Sequence, residues 1–134
     1  MSYAWDIDIP ADTREEAPVK QTLKLTTGIV TDVSFFFPGG CSQKVKVRLT
    51  RGGVFPVVPN NLGGWVTGNK QVVPFRLYYD INDIPYELQF EGCSPGTSYT
   101  HKIGVWISMI EEAAASTKKL TLLLEKFLET IGAL

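Results

Sequence analysis

At 134 residues, 44% hydrophobic and 20% charged, the chain reads as one globular domain, long enough to bury a core without metal or disulfides. A net charge of −1 supplies no overall field to draw in nucleic acid or an anionic membrane. No apolar run reaches the roughly 18–20 residues that span a bilayer, and the first residues lack the basic and apolar regions of a secretory signal.

Residues 3–9 alternate, Tyr3, Trp5, Ile7 and Ile9 against Ala4, Asp6 and Asp8. That period of two predicts a strand, closed by Pro10. Residues 11–18 are a polar connection. Asp12, Glu15 and Glu16 in it lack the spacing of a calcium loop and read as solvated. A second strand is expected over 20–26, with Leu23 and Leu25 inward, and Gly28 turns it into the run 29–37. In that run Ile29, Thr31, Val33, Phe35 and Phe37 form the expected core face, and Val30, Asp32, Ser34 and Phe36 the other. Pro38-Gly39-Gly40 breaks it, since proline lacks a donor and glycine permits positive φ. Val45, Val47 and Leu49 then alternate with Lys44, Lys46 and Arg48. One apolar and one wet face is the mark of an antiparallel sheet.

After a Thr50-Arg51-Gly52-Gly53 turn, the segment 53–59 contains Pro56, which predicts an edge or irregular strand. Residues 60–69 are the longest turn-rich stretch and carry Trp65. A tryptophan there can offer a platform to a sugar ring or a partner, with Asn60, Asn61 and Asn69 beside it, or fold back to cap one end of the domain. Residues 72–79 suggest a strand interrupted at Pro74. Residues 84–91 predict Ile84, Tyr86, Leu88 and Phe90 inward and Glu87, Gln89 and Glu91 outward. The last strand, 101–110, has Ile103, Val105, Ile107 and Met109 on one face. Trp106 and Ile110 lie on the other and need a cover.

About eight short strands separated by turn signals predict a mainly β fold, an antiparallel β-sandwich of jelly-roll or immunoglobulin-like type. Cys41 and Cys93 fall in glycine-containing loops rather than on strands, which favours the jelly roll. Without a signal for an oxidising compartment they read as free thiols, with a disulfide as the alternative. Composition changes at 111. From Glu111 to Leu134 the chain is rich in Ala, Leu, Lys and Glu, with no glycine before Gly132. Leu120, Leu123, Leu124, Phe127, Leu128 and Ile131 form one apolar stripe, which predicts an amphipathic C-terminal α-helix. The division expected is a sandwich over 1–110 and a helix over 111–134. The stripe suits docking to copies of the chain or to a larger assembly, or packing on the sandwich. Flanking lysines and glutamates disfavour a membrane role.

No catalytic, cofactor-binding or metal-binding motif appears. His101 is the only histidine, the cysteines lack the spacing of a zinc site, and the paired glycines are not followed by a helix that would hold phosphate. Lys44, Lys46, Arg48 and Arg51 form a basic stripe without interleaved aromatics, a surface face rather than a nucleic-acid site. Among the acidic residues, Glu87 and Glu91 read as solvated.

The runs Gly28-Ile29-Val30-Thr31-Asp32-Val33, Phe37-Pro38-Gly39-Gly40-Cys41 and Val45-Lys46-Val47-Arg48-Leu49 resemble a group of small β-proteins encoded among the structural genes of tailed phages and archaeal viruses. Gly64-Trp65-Val66-Thr67-Gly68 and Ile84-Pro85-Tyr86-Glu87-Leu88 extend the resemblance, which covers about residues 1–110 and not the helical tail. It implies a homo-oligomeric virion component, a capsid decoration, turret or attachment module, with other virion or assembly proteins as partners. It transfers no catalytic residue. The expected function is therefore a non-enzymatic structural or interaction protein, located in a virion or, if the chain is not viral, in the cytoplasm. The competing expectation is a carbohydrate- or ligand-binding module built on the Trp65 loop.

Overall fold

The computed structural model describes residues 1–111 and 124–128. Among these residues nine strands run in chain order: β1 (Ser2–Ile9), β2 (Val19–Lys24), β3 (Gly28–Phe37), β4 (Lys46–Arg51), β5 (Phe55–Val58), β6 (Val66–Thr67), β7 (Gln71–Ile81), β8 (Glu87–Cys93) and β9 (His101–Ile110). They form two antiparallel sheets. Sheet A has the order β1-β9-β3-β7. Sheet B has the order β2-β8-β4-β5, with the short β6 also paired to β4.

With β6 set aside, the first strand pairs with the last, the second with the last but one, and so inward: β1 with β9, β2 with β8, β3 with β7, β4 with β5. Contacts of β3 with β9 and of β4 with β8 complete the sheets. A long antiparallel ribbon curled in this way is a jelly roll, which hides most strand edges within one chain. The inner faces meet in one core. Ile7, Phe35, Phe37, Val105 and Ile107 come from sheet A, and Leu23, Val47, Leu49, Leu88 and Phe90 from sheet B. Each large side chain fully buried there contributes about 1.5–3 kcal/mol relative to exposure. The sheets approach closely at Gly92, where an added Cβ would lie 2.6 Å from the Ile9 Cδ1.

Three expectations need correction. In β3, both pairing partners shift register between Val30 and Asp32. A β-bulge at Thr31 reverses the alternation, so Val30 joins the core and Thr31 does not. Its hydroxyl instead donates to the Ser108 carbonyl oxygen at 3.3 Å. Second, β7 runs unbroken through Pro74, opposite Ser34. It is an edge strand, where a missing N–H costs no ladder bond if it faces outward. Pro56 occupies a similar position in β5, as expected. Third, β8 begins at Glu87, opposite Lys24, so Ile84 and Tyr86 lie before the ladder and are exposed. The opposite end of β8 reaches Cys93, which therefore ends a strand rather than sitting in a loop. Both cysteines are buried and unpaired.

Residues 124–128 form a short helix, and all five are exposed. Leu124, Phe127 and Leu128 of the predicted stripe fall within it. Leu120, Leu123 and Ile131 lie outside the described residues.

Candidate functional site

The outer faces of the two sheets differ in kind. On sheet B, alternation sends the basic side chains of β4 outward, and these find partners. Arg48 Nε donates to Glu91 Oε2 at 2.6 Å, and the guanidinium also lies 3.9 Å from the Trp65 ring centroid. The indole N–H donates to Glu15 Oε1 at 2.9 Å, and Glu15 in turn faces Lys46 at 3.7 Å. Glu91 reads in the sequence as solvated, yet it is only 4% exposed. The reason is that Arg48 stands directly opposite it in the ladder and neutralises it there.

This network lies beside the connection between β1 and β2, which is stapled down by Ser94. The Ser94 hydroxyl donates to the Pro10 carbonyl oxygen at 2.7 Å and accepts from the Thr13 N–H at 3.2 Å. The Ser94 N–H donates to the Thr13 carbonyl oxygen, and Asp12 Oδ1 accepts from the Gly96 N–H. Asp12 and Glu15 thus have structural partners. Burial pushes the Cys93 thiol up from its ordinary pKa, with the nearby Glu15 carboxylate adding to the effect, and burial does the same at Cys41.

Sheet A turns an apolar stripe outward. Cross-strand registers align Ala4, Trp106, Ser34 and Pro74 in one row and Asp6, Gly104, Phe36 and Val72 in the next. Trp106 is 49% exposed, Val72 45% and Phe36 40%. Neighbouring strands stand about 4.8 Å apart, so these three side chains span roughly 10 Å of sheet. The core is already filled from the opposite face. These side chains therefore have nothing within the described sandwich to cover them.

At one end of this face the stripe runs into a cleft of about 370 Å³, bounded by Asp6, Phe36, Tyr99, His101, Lys102 and Gly104, with the turn after β3 closing one side. His101 begins β9 on its inward-facing side and is 3% exposed. Neither ring nitrogen has a hydrogen-bond partner among the described residues. The Tyr99 ring lies over the imidazole at 4.4 Å between centroids, tilted by 31°. Room for the Tyr99 hydroxyl exists only because residue 40 is glycine: a Cβ there would collide with it, and Gly40 also holds φ +92°. Gly104 opens the cleft floor, since a Cβ at that position would stand 3.3 Å from the Phe36 Cβ and 3.8 Å from Asp6 Oδ1.

The structure separates the residues singled out around Trp65. Asn61 lines a smaller cavity with Arg48 and Thr50, and Asn60 is exposed nearby. Asn69 lies elsewhere, where its Oδ1 accepts from the backbone N–H groups of Gly40 and Ser42, both at 3.1 Å, and so braces the turn beside the cleft. Trp65 is half-buried and already engaged by Arg48 and Glu15. Sequence reasoning noted His101 but not the cleft. Phe36 on the otherwise polar face of its strand was the one available signal. Among the described residues, no three His, Cys, Asp or Glu side chains converge as a metal site would require.

No protein-family model matches the chain, and no curated protein matches it. Among solved structures it is similar to a disulfide-linked pilus protein of Bacillus endospore appendages, at 10% identity and a TM-score of 0.45, over 84% of this chain and 88% of that one. It is also similar to PliG of Aeromonas hydrophila, a periplasmic inhibitor of g-type lysozyme, at 11% identity and a TM-score of 0.41, over 81% and 86% of the two chains. Both neighbours are β-rich and neither is an enzyme or a phage or archaeal-virus protein.

Proposed function

We propose that this chain is a non-catalytic structural and interaction subunit that assembles with copies of itself through the outer face of sheet A and the C-terminal helix. The observation that carries this reading is the exposure of Trp106, Phe36 and Val72, on two adjacent cross-strand rows of a sheet whose other face already fills the core. Apolar surface of that kind, reaching across β9, β3 and β7, is characteristic of contact sites between proteins. The exposed Leu124, Phe127 and Leu128 supply a second apolar surface that needs cover. Residues 1–110 and 111–134 act in this reading as a β-unit and an assembly element.

The setting we propose is a virion, as a capsid decoration, turret or attachment module. Its support is the sequence resemblance together with analogy to the jelly rolls that build viral capsids.

Sedimentation of the full chain, of Trp106→Glu and of a chain ending at Glu112 tests the assembly. The full chain is expected to be a defined oligomer, and either change to shift it toward the monomer. If both altered chains keep the full chain's number of subunits, neither surface carries the contact. A full chain that stays monomeric up to its solubility limit ends the self-assembly reading.

A further inference from the structure

We propose that the cleft over His101 is a binding site for a neutral sugar, holding one pyranose ring between the Phe36 and Tyr99 side chains. The cleft shares Phe36 with the apolar stripe, whereas Tyr99, His101 and Lys102 lie outside it, so failure of the assembly reading leaves the chemistry of the cleft in place.

Four observations point to that ligand class. The first is size. At about 370 Å³ the cleft lies at the small end of ligand sites, which run from about 300 to 1,000 Å³. The second is the walls. Phe36 and Tyr99 are both substantially exposed at the mouth. The faces of their rings are electron-rich, and the C–H groups on one face of a pyranose carry the complementary partial charge.

The third is charge. The cleft carries one carboxylate, Asp6, and one ammonium, Lys102, on neighbouring strands. An anion would meet Asp6 and a cation would meet Lys102, each at a cost. A neutral polyol can donate to the first and accept from the second. Neither side chain is engaged in a hydrogen bond or ion pair among the described residues, so both retain their full bonding capacity.

The fourth is His101. An imidazole with two unpartnered buried nitrogens is costly, and such groups need a reason. Its neutral form offers one donor and one acceptor, which a sugar hydroxyl, itself donor and acceptor, satisfies. Tyr99 caps the ring in this structure and has no hydrogen bond among the described residues to hold it there. A small shift of that exposed ring, which still forms one wall of the cleft, gives a hydroxyl access to the imidazole. Gly104 leaves the floor open beneath.

The chain has a single histidine, so the His101 imidazole proton resonances report on this cleft alone. The experiment is a titration of the full chain with D-glucose, D-galactose, D-mannose and N-acetyl-D-glucosamine, with acetate and ethylammonium as charged controls. At least one sugar is expected to shift the resonances saturably, with neither control doing so. Gly104→Leu, which fills the floor at an ordinary backbone conformation, is expected to weaken binding by about tenfold or more. Asp6→Ala, at an exposed position, is expected to weaken it as well.

Three outcomes overturn the proposal: no shift with any of the four sugars up to about 100 mM, where even a weak site with a Kd of a few millimolar is filled; tighter binding of a charged control; or undiminished binding in the variants. If Gly104→Leu does not fold, Asp6→Ala alone decides. Sedimentation of the same samples separates a lost site from a changed oligomer.

Discussion

The Arg48 Nε and the Glu91 Oε2 stand 2.6 Å apart on facing positions of β4 and β8, and the two ends of this pair differ in their access to water. The Glu91 side chain is 5% exposed and that of Arg48 26%. Removing one partner of a buried pair leaves the other charge uncompensated, and the loss scales with how deeply the survivor lies. Arg48→Ala is therefore expected to destabilise the fold by about 3 kcal/mol, because it strands the buried carboxylate and uncovers Trp65. Glu91→Ala strands a guanidinium that still reaches water and keeps its place against the indole, so its cost should be smaller, about 1–2 kcal/mol. Urea unfolding of both variants measures the difference. Equal losses would show that the pair is not buried as asymmetrically as its exposures imply.

Ser94 closes the connection between β1 and β2 from a distance of more than eighty residues. Ser94→Ala removes one donated and one accepted hydrogen bond at a fully buried position. The expected loss is about 1–3 kcal/mol, with faster proteolytic cleavage after Arg14 or Glu15. Limited proteolysis followed by mass spectrometry checks the site. Unchanged cleavage kinetics would mean that the remaining backbone bonds hold the loop unaided.

Burial raises the pKa of Cys41 and Cys93 above the ordinary 9.0. Above that value an unfolded thiol loses its proton while a folded one keeps it. The unfolded state then binds fewer protons, so stability falls as pH rises. The contribution is complete below about pH 9 and declines from there toward the raised folded values. Alanine at both positions should flatten the pH dependence of urea midpoints between about pH 8.5 and 10. Native protein should also react with iodoacetamide far more slowly at pH 8 than unfolded protein does. Rapid alkylation of the native chain would contradict the burial.

His101 carries a local instability. His101→Phe replaces an imidazole with two unsatisfied nitrogens by an apolar ring of similar size. It is expected to raise stability by about 1 kcal/mol, read as a higher urea midpoint. A loss of stability would reveal that the imidazole has a partner, such as a bound water, in solution.

The architecture was largely legible in the residues. Alternation identified most of the strands, because a half-buried antiparallel strand must repeat every second residue. Loop positions for the cysteines argued against an immunoglobulin pattern, and the jelly roll was correct even though Cys93 in fact ends a strand. Pro56 marked an edge strand correctly, while Pro74 misled because a proline signals an edge and a break equally well. The bulge at Thr31 was not legible. A bulge is a mismatch between two strands, and a single strand's sequence does not contain its partner's register.

What the sequence determined by itself was the class of fold, the identity of most core residues and the change in composition at 111, all properties of local pattern. What only the tertiary structure decided was which surface residues meet. Glu91 reads as solvated until Arg48 stands opposite it, and Phe36 and Trp106 read as isolated exceptions until β3 and β9 lie side by side. Asp6, Tyr99 and His101 come from opposite ends of the domain's sequence and share a cleft only because β1 pairs with β9. Long-range strand pairing creates these neighbours, and no pattern within a single segment carries it.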